Sequence, residues 1–165
     1  MREATRIGLI SDTHGLLRPE ALVALRGSDL IIHAGDIGEY GILEQLGTIA
    51  PVVAVRGNVD KALWAARLQM TAVVEVGPAI IYVLHDIHEL DLDPATAHFN
   101  VVVSGHSHKP RKESRSGVLY VNPGSAGPRR FTLPVTVARL DLGREPWPVD
   151  FVDLLSIEPD LSPAR

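Results

Sequence analysis

At 165 residues, 45% apolar and 22% charged, the chain has the composition of a soluble globular protein and the length of one domain. Its net charge of −4 argues against a partner held by phosphate neutralisation, so no specific nucleic-acid binding is expected. A small phosphorylated ligand stays open where a metal supplies the positive charge, and the absence of cysteine leaves that metal only nitrogen and oxygen donors.

The opening MREATRIGLISD holds too short an apolar run for a signal peptide, and no later run reaches transmembrane length. A cytoplasmic location without membrane association is therefore expected. Arg6 to Ile10 reads as a short strand that breaks into SDTHG. Pro19 opens PEALVALRG, a helix with Pro near its start and Gly27 after its end. DLIIHAGD is the next strand, YGILEQLGTI a second helix, and PVVAVRGN a third strand. This alternation predicts crossover connections and parallel pairing.

After Ala65 the chain turns strand-rich. TAVVEVG and AIIYVLHD meet at Gly77-Pro78, a hairpin turn, and NVVVSGH, GVLYVNPG, PVTVARLDL and PVDFVDL come after them. One short helix is expected near Asp93 to Ala97. Two packed sheets with helices outside fit this order better than a doubly wound fold. The polar, Pro-rich end of the chain reads as a frayed tail.

Polar residues recur where the strands stop. The first strand ends at Asp12 and His14, the second at Asp36, the third at Asn58 and Asp60, and later runs deliver His85 and then His106 and His108. Each has a structural explanation by itself: turn dipeptides at Gly35-Asp36 and Gly57-Asn58, exposed loop histidines, a strand-end imidazole. Their recurrence at strand ends, where α/β sheets build their sites, favours a shared centre.

The ordered set DTH, GD, GNVD, H and GHSH, with VNPGSAGPRR later, resembles the calcineurin-like metallophosphoesterases, and within them the small single-domain phosphodiesterases. The resemblance runs from Ile7 to Leu142. It implies an α/β fold, a four-layer αββα sandwich of two mixed sheets with outer helices. The domain would occupy residues 1–155 and the flexible tail 156–165. It also implies two divalent metal ions, with Asp12, His14 and His108 on one, Asn58, His85 and His106 on the other, and Asp36 bridging. Manganese is the first expectation, with Fe, Ni, Zn and Mg as alternatives.

On the same resemblance the nucleophile is a metal-bridging hydroxide that attacks a small phosphate ester, with Asp36, Asn58 and His106 as the catalytic residues. Behind the ligands, His33 is either a buried hydrogen-bonded histidine or one that orients the site, and Asp60 fixes the Asn58 loop or an imidazole. Asn122 shapes a loop near the site; Arg129 and Arg130 touch substrate phosphate or are simply surface residues; His98 lies on the surface. Two departures stand out. Val59 occupies the place where many relatives have a proton-donating His, and Asp86 the place where Gly is usual. The alternative function is a protein-binding scaffold on the same fold; family members also often form homodimers.

Overall fold

Short β-branched runs cut by Gly, Pro and Asp form ten strands in a computed structural model that describes residues 5–157. The first half alternates β1 (Arg6–Ile10), α1 (Pro19–Leu25), β2 (Leu30–His33), α2 (Tyr40–Gly47) and β3 (Val52–Ala54). The second half is β4 (Thr71–Val76), β5 (Ala79–Leu84), β6 (Val101–Val103), β7 (Arg111–Arg115), β8 (Val118–Asn122), β9 (Thr136–Asp141) and β10 (Val149–Asp153). Pro19 sits in the first turn of α1, where its missing N–H costs nothing, and Gly27 comes after the helix at φ 81°.

The strands make two five-stranded mixed sheets, ordered β10-β9-β1-β2-β3 and β4-β5-β6-β8-β7. In the first, β1, β2 and β3 are parallel as the helical connections require, and β9 and β10 add antiparallel beyond β1. In the second, β5, β6 and β8 are parallel, with antiparallel edges β4 and β7. The β4–β5 hairpin turns at Gly77, φ 52°, with Val76 opposite Ala79.

Period-2 alternation divides the core. Ile7, Leu9 and Ile32 meet Ile81, Val83, Val101 and Val103 between the sheets, whereas Ile10 and Ile31 face Ala21, Leu25, Ile42 and Leu46 of the helices. Leu9 is fully buried, so truncation to Ala would cost about 2–5 kcal/mol. On the outer face of the second sheet, Tyr82 and Val102 are covered by Ile87, Leu90, Leu92 and Phe99. The outer layer here is a 3-10 turn at Ile87–Glu89 and irregular chain. The helix expected at Asp93–Ala97 is a single helical turn, closed by Ala97 N–H donating to Asp93 O at 3.0 Å.

The strand β7 went unread in the sequence because RKESR has no apolar alternation. It is an edge strand, and charge along an edge prevents further pairing. The expected tail lies, from residue 158 on, outside the described residues. Among the described residues no helix is long and apolar enough to cross a membrane.

Candidate metal centre

The carboxyl ends of β1, β2, β3, β5 and β6 bring loops from both sheets to one place. Two groups of donors form there: Asp12, His14 and His108, and Asp36, His85 and His106, each with ligand-capable atoms within 4.8 Å of one another. Five of these six residues lie in the left-handed backbone region: Asp12 (φ 56°), His14 (46°), Asp36 (55°), His106 (71°) and His108 (61°). Each such residue costs about 1–2 kcal/mol, and backbone strain of this kind collects at functional sites.

Two carboxylates organise the centre, each using one oxygen for structure. Asp12 Oδ2 accepts Ser11 Oγ–H at 2.6 Å and the His106 backbone N–H at 3.1 Å, tying the two sheets together. Its Oδ1 then faces Nε2 of His108 at 3.3 Å, of His14 at 3.8 Å and of His85 at 3.9 Å. Asp36 Oδ1 accepts Val59 N–H at 3.0 Å, while Oδ2 faces Nε2 of His85 at 3.2 Å and of His14 at 3.7 Å. Asp36 Oδ2 thus stands between the two donor groups.

These approaches are charge contacts rather than aligned hydrogen bonds. Asp12 Oδ1, His85 Nε2 and His108 Nδ1 are buried and find no hydrogen-bond partner among the described residues. His85 Nδ1–H donates to Ala34 O at 2.7 Å, which leaves Nε2 of the neutral ring as a lone pair aimed at carboxylate oxygens. Nε2 of His14 likewise lies 3.3 Å from Nε2 of His108. Buried acceptors converging on one another are unfavourable unless a cation or a proton lies between them, so the donor set fits divalent metals.

These contacts also set protonation. Burial works against ionised Asp36, but contact with His85, the Val59 N–H and the charges of His85 and His14 outweigh it, holding its carboxyl at about 2. Asp12 is lowered for similar reasons: although burial opposes it, His108, Ser11 and His85 prevail. Burial would depress His85, yet Asp36, Asp12 and the Ala34 carbonyl raise it to about 8, so that without a metal a proton on Nε2 takes the place of the cation between the ring and the carboxylates at neutral pH. His14 is lowered, chiefly by burial, with Arg130 among the charges acting the same way.

Behind the donors lies a polar frame. His33 is fully buried. Its Nδ1 accepts Gly35 N–H at 3.1 Å, so the proton sits on Nε2 and donates to Thr13 Oγ1 at 3.0 Å; that hydroxyl donates to Ile37 O at 2.8 Å. Burial lowers His33 to about 4, so the ring is neutral at neutral pH. Asp60 accepts the N–H groups of Ile37, Gly38 and Gly57 at 2.9–3.1 Å and fixes the Asp36 and Asn58 loops at once. Asn122 donates to Gly105 O at 2.9 Å and to Ser107 Oγ at 3.0 Å, shaping the GHSH loop.

Not every expected residue points inward. Asn58 is exposed, and its side chain makes no hydrogen bond among the described residues; its loop reaches the centre through the Val59 N–H. The His106 side chain is 43% exposed, with Nε2 3.6 Å from Asp86 Oδ2. Asp86 also accepts from His88 N–H and lies 3.0 Å from His88 Nδ1. Arg129 and His98 are exposed, Arg129 donating to Leu133 O.

The sequence reading missed the roles of Ser11 and Thr13, although both hydroxyls flank Asp12 within the SDTHG stretch. It also missed why Gly57 and Gly105 precede site residues. A Cβ at Gly57 would strike Asp36 backbone N and Oδ1, and one at Gly105 the Ser11 hydroxyl. Glycine lets these backbones approach the carboxylates.

Known proteins are similar to this chain. Residues 5–145 match the calcineurin-like phosphoesterase superfamily domain. A "Probable metallophosphoesterase" from Methanothermobacter thermautotrophicus is 34% identical over 82% of this chain and 86% of its own length. Among solved structures, an archaeal phosphodiesterase superposes with a TM-score of 0.75 at 23% identity, covering 89% of this chain and 99% of that one. Vacuolar protein sorting 29 from Cryptosporidium parvum superposes at 0.71 and 19% identity, over 92% and 98% of the two chains. These structural likenesses speak for the fold.

Proposed function

The chain belongs to the calcineurin-like phosphoesterase superfamily, and on that premise we propose that it is a phosphodiesterase that works with two divalent metal ions, manganese first, on small phosphate esters. The observation that carries the reading is the meeting of two donor groups around Asp12 Oδ1 and Asp36 Oδ2. Asp12, His14 and His108 would hold one ion; Asn58, His85 and His106 the other; Asp36 would serve both. Such ions lower the pKa of water and neutralise charge on phosphoryl oxygens.

The protein's own contribution is orientation and selection. Ser11 and the His106 N–H turn Asp12 Oδ1 inward, and Val59 N–H does the same for Asp36 Oδ2. The Ala34 carbonyl fixes the His85 tautomer that presents Nε2. Val59 carries no transferable proton, so esters whose leaving groups depart unaided are favoured. The Asp86 carboxylate beside His106 opposes the second negative charge of a monoester dianion, which favours diesters.

Chelator-stripped protein should not hydrolyse bis(p-nitrophenyl) phosphate, and Mn²⁺, Ni²⁺, Mg²⁺ or Zn²⁺ should restore turnover, faster than for p-nitrophenyl phosphate. Folded protein inactive with every ion would contradict the proposal. It would favour the scaffold reading, for which the exposed Leu63, with Tyr40 against Trp64, offers an apolar surface.

A further inference from the structure

A groove of about 200 Å³ leads away from His106 along the outer face of the second sheet. Its near end is formed by Asp86, His88 and His106, so it opens directly beside one of the two donor groups. Its far wall is the edge strand β7. Alternation along RKESR sends Arg111, Glu113 and Arg115 to this groove, while Lys112 and Ser114 line a separate cavity on the opposite face. Tyr120, opposite Glu113 in the register, contributes its ring, with the Arg115 guanidinium 4.7 Å above the centroid.

The charge along this wall is uneven. Glu113 is shared by two cations, with Arg111 Nη2 at 2.6 Å and Arg115 Nε at 3.1 Å. Lys109, which also lines the groove, forms no ion pair among the described residues. Three cations therefore line the groove against two carboxylates, Glu113 and Asp86, in a chain whose net charge is −4. At the near end Asp86 is engaged by His88. The groove is thus acidic beside His106 and basic along β7. Guanidinium groups held by a shared carboxylate present their remaining N–H donors in a fork that suits a carboxylate or a phosphate.

We infer that this groove holds the second ester group of a phosphodiester and selects groups that carry a negative charge of their own, a carboxylate or a further phosphate, met by Lys109, Arg111 and Arg115. The inference rests on the phosphodiesterase reading and narrows it to a substrate class. The Tyr120 ring gives the uncharged part of such a group a flat surface, and Arg115 stacked on that ring loses little freedom when it binds.

The test compares two diesters that differ in one charge, phenyl p-nitrophenyl phosphate and 4-carboxyphenyl p-nitrophenyl phosphate, on the metal-loaded enzyme. Partly exposed charge pairs of this kind give about a tenfold advantage in kcat/KM to the carboxylate ester. In a Lys109→Gln, Arg111→Gln, Arg115→Gln triple variant that ratio should fall to about one. Calorimetry with a non-hydrolysable 4-carboxyphenyl phosphonate should show the same loss of affinity, independent of turnover. Hydrolysis of both esters at equal kcat/KM, or a preference that survives in the triple variant, overturns the role of the groove and leaves the phosphodiesterase reading standing. Hydrolysis of neither ester overturns both.

Discussion

The two donor groups are built from the same residue types but sit in different surroundings. Asp12, His14 and His108 are closed in: Asp12 and His108 are buried, and His14 is 17% exposed in its side chain. In the other group Asp36 and His85 are equally buried, and it is His106, 43% exposed, that opens outward, with Asn58 exposed in the neighbouring loop. The closed group is tied by Ser11 and by a hydrogen bond across the sheets; the open one borders the groove of β7. On the proposed two-ion reading, an ion on the closed side would be held firmly and one beside the exposed His106 would exchange more readily.

Replacing Asp36, which faces both groups, should affect them together. Asp36→Asn is expected to lower metal-dependent kcat by more than about 100-fold, beyond the 10–100-fold typical of losing a residue behind the ligands, with the circular dichroism spectrum unchanged. Asp60→Ala tests the frame beneath. Three backbone N–H groups lose their acceptor, so the protein should lose about 3 kcal/mol or more by urea unfolding. Equal stability would show that water replaces the carboxylate.

A pH series separates His33 from His85 in chelator-stripped protein. His33 is depressed to about 4, so it withholds a proton that the unfolded chain takes up. Stability should fall as pH drops below 6.5, by about 3 kcal/mol once pH 4 is reached. His85 is raised to about 8, so its contribution is complete below 6.5 and disappears as pH rises through 8. Unfolding midpoints should therefore peak near pH 6.5. A curve flat from 4 to 8 would mean that neither ring is perturbed.

Single-ligand changes sharpen the contrast between the groups. His108→Asn should weaken the firmly held ion, and His106→Asn only the exchangeable one, read as two separable steps in a metal titration. One step altered equally by both variants would erase the distinction. The smallest effect is expected at Asp86: removing its charge with Asn should raise monoester turnover relative to diester by about threefold, the scale of a partly screened charge pair.

Most of this arrangement was legible in the sequence because the chain punctuates itself. Apolar strands stop abruptly, and the donors stand one to three residues after their ends at Asp12, Asp36, His85 and His106. The family resemblance then implied a pairing of donors that no spacing could give. What escaped had no apolar signal or depended on three-dimensional approach. The strand RKESR is polar because it is an edge, and so the groove it walls was invisible. Asp60 reads in the sequence as fixing the Asn58 loop or an imidazole, yet its oxygens also collect the Ile37 and Gly38 amides of the Asp36 loop, distant in sequence. Nor could spacing reveal that Ser11 and the His106 N–H would share one oxygen of Asp12 and leave the other for the centre.

Metal stoichiometry probes the proposed two-ion centre itself. Stripped protein would be titrated with Mn²⁺ while bis(p-nitrophenyl) phosphate hydrolysis and bound metal are followed together. Two donor groups sharing Asp36 predict no turnover without metal, little after the first ion, and a maximum at about two ions per chain. Full activity at one ion per chain, or turnover that survives stripping, would contradict it.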